Sequence, residues 1–122
     1  MIKSGDMYRI KMDKSDGITP KGADTYRNKY IIVIGHDGGN LYGVVVTNTH
    51  DNHLVPMKFQ YPLNDRGYKC YVNCYDLFDV SSERLKDDCF ECRISDDDLE
   101  FIIGCVKTSP AIPGKILKMF GL

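Results

Sequence analysis

Polar groups frame the most apolar stretch of this chain. Arg27 and Lys29 lead into Tyr30-Ile-Ile-Val-Ile34, and Thr47 and Thr49 follow Val44-Val-Val46. Cations and hydroxyls held at strand ends can grip a phosphate and stabilise the charge that builds on a phosphorane. His36 and His50 lie in turn-forming segments and could move a proton near neutral pH. Tyr8, Tyr26 and Tyr30 supply rings for unpaired bases, and Arg9, Lys11 and Lys21 supply further cations. These are the parts needed to cut RNA when the ribose 2′-hydroxyl attacks its own phosphate: a base, an acid, and donors for the phosphorane. The plainer reading of the three histidines, His36, His50 and His53, is separate surface residues.

Other chemistries fit less well. The chain has no nucleophile elbow, phosphate loop or zinc-protease signature. Gly35-His-Asp-Gly-Gly39 lacks the glycine spacing and the following helix of a dinucleotide site. Cys70-x3-Cys74 and Cys89-x2-Cys92 loosely resemble a four-thiolate zinc site. Residues four apart on a strand lie roughly 13 Å apart, too far to share a metal unless the chain bends. Free, largely buried thiols are the simpler expectation for five cysteines, an odd number.

The formal charge of -1 gives no global attraction to nucleic acid or membrane. The cations, however, crowd the first quarter, while Asp87-Asp88 and Asp96-Asp97-Asp98 come late. No run is long enough to span a membrane, and the first residues do not read as a signal peptide. The expectation is a cytoplasmic protein with one domain, 1–122.

The elements that must position these groups are mostly strands. Residues 6–13 alternate, with Tyr8, Ile10 and Met12 on one side and Arg9 and Lys11 on the other. Residues 13–25 form a polar loop, either a mobile cover for a site or a connector. The apolar runs at 30–34 and 41–47 are nearly continuous, which predicts central strands buried on both faces. Pro56 makes 54–61 an edge strand. Tyr68 to Tyr75 alternates, and Cys89–Ile94 is a short strand. Residues 79–86 hold one helical turn capped by Ser81. A firm helix covers 96–108, with Ser95 as N-cap, three aspartates in its first turn and an apolar stripe of Leu99, Ile102, Ile103 and Val106. The state of 115–120 is open between a short helix and a strand. The sum is a mainly β fold with a C-terminal helix, best fitted as a small, curved barrel.

In order, these segments resemble the MazF/PemK/Kid group of toxin ribonucleases. Ser4-Gly5-Asp6-Met7-Tyr8 is similar to that family's opening strand. Lys29-Tyr-Ile-Ile-Val-Ile-Gly-His-Asp37 resembles its Arg-Pro-Val-Val-Val-Ile-x-Asn-Asp segment, and Val44-Val-Val-Thr47 its strand ending in a catalytic threonine. Val80-Ser-Ser-Glu-Arg-Leu85 and the helix after Ser95 resemble later segments, for a span of roughly residues 4–108. The resemblance implies a small SH3-like barrel of the MazF/CcdB type, as a homodimer. It implies sequence-selective cleavage of single-stranded RNA with neither metal nor other cofactor, and a cognate antitoxin that fills the RNA groove with an acidic peptide. The family's catalytic arginine falls on Lys29 and its next residue, proline, on Tyr30. Arg27 shares the strand face of Lys29 and could take the arginine's place. The threonine falls on Thr47, and Asp24 is nearest to the family's acidic loop residue. The competing expectation is a non-catalytic module of the same fold that binds protein or RNA.

Overall fold

β1 (Asp6–Met12) follows the alternation of its sequence: Tyr8, Ile10 and Met12 are buried, and Arg9 and Lys11 are exposed. Gly5 opens it at φ 96°, a left-handed backbone that favours glycine. Its N–H donates to the Val33 carbonyl at 2.7 Å, and its carbonyl accepts from Ile94 N–H at 2.9 Å. The computed structural model describes residues 2–16, 18, 22–37, 40–47, 55–56 and 71–119.

β2 (Arg27–Asp37) and β3 (Asn40–Thr47) are the middle strands. Every residue from Tyr30 to Ile34 is buried, as a continuous β-branched run between two covered faces requires. β4 (Val55–Pro56), β5 (Tyr71–Ser81) and β6 (Phe90–Arg93) complete a six-stranded antiparallel sheet in the order β4-β5-β3-β2-β1-β6. Opposite the stretch of β3 between Gly43 and Val45, β5 runs from Phe78 back to Asn73, so a long bulge bends it there. Most of the expected edge strand at 54–61 lies outside the described residues, as do Tyr68 and Cys70.

α1 (Asp96–Lys107) begins where the sequence places it. Ser95 Oγ accepts from Asp98 N–H at 3.1 Å, and three aspartates occupy the positive end of the helix. α2 (Gly114–Met119) settles the open segment near the end as a short helix. Ile102 and Val106 of α1 pack on one sheet face with Met7, Tyr30, Ile32, Val44, Val46, Val72 and Cys74. The other face gathers Tyr8, Ile10, Met12, Ile31, Val33 and Val45 under Val80 and Leu85. Leu85 follows a 3-10 turn at Ser82–Arg84, which Ser81 caps by accepting from Glu83 N–H at 3.3 Å.

The expected closed barrel is not what the chain forms. Among the described residues, the sheet ends in β4 on one side and β6 on the other, and those edges do not pair with each other. β6 has four residues and shifts register between Met7 and Tyr8, so it leaves β1 after Tyr8. Beyond β5 the chain coils into 3-10 turns at Ser82–Arg84 and Asp87–Cys89 rather than carrying a ladder onward. The result is an open, curved sheet with two C-terminal helices, a mixed α/β fold in place of the SH3-like barrel.

Candidate functional site

Register decides which polar groups meet. Ile10 pairs with Lys29 and Met12 with Arg27, so both cations stand on the face that holds Tyr8, Ile10 and Ile31. Both are half-buried. Tyr30 pairs with Val46, and Lys29 and Thr47, the last residue of β3, are the next residues along the two strands. Arg27, Lys29 and the backbone of Thr47 therefore share one end of the β2–β3 pair. Asp24 is exposed in the segment that enters β2.

Arg9 and Lys11 belong to the opposite face. Arg9 pairs with Tyr30 and Lys11 with Asn28. The Arg9 guanidinium lies 5.9 Å from the centre of the Tyr30 ring, and Lys11 Nζ lies 4.7 Å from that of Tyr26. Both separations suit cation–π attraction. Tyr26 is 40% exposed, leaving ring surface for a base. Tyr30 and Tyr8 are buried, and Tyr8 packs edge-to-face on Phe90 at 5.6 Å. Burial, then Asp6 and Asp87, push the Tyr8 hydroxyl above its ordinary pKa, so it stays protonated and is no base.

His36 is exposed opposite Leu41, at the far end of β2. It is seven residues from Lys29, which is roughly 23 Å of strand. Within one chain the two do not converge. Lys21, Thr49, His50 and His53 lie outside the described residues.

A cavity of about 630 Å³ runs along the edge of β1 that β6 leaves uncovered. Arg9, Ile10, Lys11 and Asn28 line one side, and Glu83, Arg84, Lys86 and Cys89 the other. Arg84 is the strut of this wall. Its guanidinium donates to both Asp16 oxygens, at 2.7 and 3.1 Å, and to the Lys11 carbonyl at 2.6 Å. That bidentate bond holds the Asp16 carboxyl below its usual pKa. Burial, then Asp88, push the Cys89 thiol up, so it is no ready nucleophile. A second cavity, about 370 Å³, is lined in part by Asp16, Asp76 and Asp79 and would repel a polyanion.

Sequence reasoning missed Asn28, Arg84 and Lys86. The available signal was Arg84-Leu85-Lys86, where a buried leucine in a tight turn throws its flanking cations outward. Cys74, Cys89, Cys92 and Cys105 are free thiols. Among the described residues, no group of three or more His, Cys, Asp or Glu is placed to hold a metal ion. None of the described helices is long and apolar enough to cross a membrane.

No protein-family model and no curated protein matches the sequence. Solved structures do match. One, described as an endoribonuclease in complex with its cognate antitoxin from Mycobacterial species, superposes with a TM-score of 0.62 at 17% identity. The match covers 93% of this chain and 98% of that one. The chain thus shares the fold of that solved structure at low sequence identity.

Proposed function

We propose that this chain is a metal-independent endoribonuclease of the MazF/PemK kind, the toxin of a toxin–antitoxin pair. The reading is supported by the register of β2, which puts Arg27 and Lys29 on one strand face, at the end of the strand pair where β3 finishes in Thr47. The fold likeness, nearly end to end in both chains, supports it. Lys29 and Arg27 stabilise the phosphorane electrostatically as the 2′-hydroxyl attacks. Lysine brings a point charge where the resemblance expects a planar fork, and Arg27 restores a fork two residues away. The Thr47 hydroxyl binds the scissile phosphate. Asp24 takes the 2′-proton, or a histidine does so, and the protonated group then gives that proton to the 5′-oxygen as the P–O5′ bond breaks. Single-stranded RNA is the substrate, the working unit is a homodimer, and a cognate antitoxin with an acidic segment blocks the site.

The test is incubation of the purified protein with a mixed RNA in excess chelator, followed by mapping of the ends. The expected products carry a 2′,3′-cyclic phosphate and a 5′-hydroxyl at a recurring short motif. Intact RNA overturns the reading, as do ends bearing a 5′-phosphate. Intact RNA that remains tightly bound identifies a binding module of the same fold instead.

A further inference from the structure

We infer that the cavity along the uncovered edge of β1 is a phosphate subsite for the RNA strand outside the linkage that is cut. The inference rests on the nuclease reading and extends it to a second surface. About 630 Å³ is room for a nucleotide-sized group, and the lining carries the right charge. Arg9, Lys11 and Lys86 are exposed cations there, and Glu83 is the one carboxylate among the lining residues. Arg84 is spent on Asp16 and on the Lys11 carbonyl, so it shapes the wall rather than gripping a ligand. Asn28, across from Lys11, adds an amide donor on the same side.

Two observations favour a nucleic acid over an acidic peptide. The Tyr26 ring under Lys11 puts an exposed aromatic beside the cations, the pairing that single-strand binders use for a base and its phosphate. A peptide adding to β1 as a strand would need the edge carbonyl of Lys11, which Arg84 already occupies. Asn28 and Lys29 are consecutive on β2 and face opposite sides of the sheet. An RNA held at both must therefore turn around the edge of β1, and the cavity includes Ile10 as well as Arg9 and Lys11, so it spans that edge.

The experiment uses the full chain and single-stranded RNA of mixed sequence made uncleavable by 2′-O-methylation, as a trimer and a decamer. Fluorescence anisotropy compares the wild type with Lys86→Glu and Asn28→Ala, and a thermal melt checks that each variant folds. In the wild type the decamer binds more tightly than the trimer. Lys86→Glu weakens decamer binding by about 10-fold at low salt and lowers the slope of log K against log salt by about 1 to 2. On the cleavable decamer it raises KM with little change in kcat. Unchanged decamer affinity in a folded Lys86→Glu variant overturns the subsite and leaves the nuclease reading standing. A wild type that neither binds nor cuts RNA overturns both. Loss of binding to an acidic peptide with RNA binding intact reassigns the cavity to a protein partner and overturns the proposal.

Discussion

Gly43→Ala should be among the most damaging single-methyl changes this fold can suffer. Gly43 sits in mid-sheet, paired with Val33 of β2 and Phe78 of β5. A Cβ there would lie 2.6 Å from Ile31 Cγ1, 2.9 Å from Ile31 Cδ1 and 2.7 Å from the Ile32 carbonyl oxygen. Ile31 is 1% exposed, so its side chain has little space to swing into. The carbonyl belongs to the backbone, so relief requires β2 and β3 to separate. Overpacking a core by a methylene costs typically 1–3 kcal/mol. With a main-chain atom as one of the obstacles, a cost of about 3 kcal/mol is expected. For a domain of this length each kcal/mol lowers Tm by roughly 4 °C, so the melt should fall by about 12 °C. Circular dichroism melts and urea titrations read this directly. Gly104→Ala is the control: it lies in α1 with nothing within 4 Å of an added Cβ, and should stabilise by about 0.5–1 kcal/mol. Combining Gly43→Ala with Ile31→Ala separates the two obstacles, because only the carbonyl contact survives in the pair. A Gly43→Ala melt within about 2 °C of the wild type would refute the steric argument.

At the proposed centre, Lys29→Ala and Thr47→Ala should each lower kcat by about 10²–10³ while the melt changes little, as read with a fluorogenic RNA. Lys29→Arg should retain activity, and both alanine variants should relieve growth arrest on expression without a partner. The Arg84–Asp16 bond gives a pH signature. The folded Asp16 pKa lies below its ordinary value near 3.8, so the stabilisation is complete above that value and is lost as pH falls through the folded pKa. The loss should be about 1 kcal/mol, since the Arg84 side chain is 35% exposed, and Asp16→Asn should remove that acid dependence. Cys74 behaves oppositely. Burial, then the adjacent Cys105, push its thiol up to about 12, so above its ordinary value near 9 the unfolded chain loses a proton that the folded chain keeps. Stability therefore falls as pH rises from about 9 to about 12, and Cys74→Ala should flatten that fall in urea titrations.

Much of the local structure was legible because each signal acts over a few residues. The alternation of Tyr8, Ile10 and Met12, the continuous run at 30–34, and the caps Ser81 and Ser95 all sit where the sequence says. Closure of the sheet was not legible, since it depends on whether a four-residue β6 finds a second neighbour. The tail helix Gly114–Met119 spans fewer than two turns, too short for periodicity to declare itself. The far half of β5 was hidden by its bulge, which breaks alternation after Cys74. At the site, sequence could group Arg9, Lys11, Arg27 and Lys29 as one basic cluster. Only the pairing of β1 with β2 divides them between two faces. The approach of Cys74 to Cys105 joins β5 to α1 across a stretch no spacing rule covers.

The unbroken apolar run of β2 has a cost in specificity. A strand with one wet face loses burial when it slides by a residue, and so reports its own misalignment. Tyr30 to Ile34 would be nearly as content one position over, because greasy side chains would still fill both sides. What tells the aligned state from its slipped neighbour is the punctuation: the two charged residues just ahead of the run, and the missing side chain at Gly43 that receives Ile31. A slide of one position would swing Lys29 through to the helix-covered side and drive Ile31 out of its notch. Two of the marks that align the strand, Arg27 and Lys29, are thus the same residues proposed to meet the RNA.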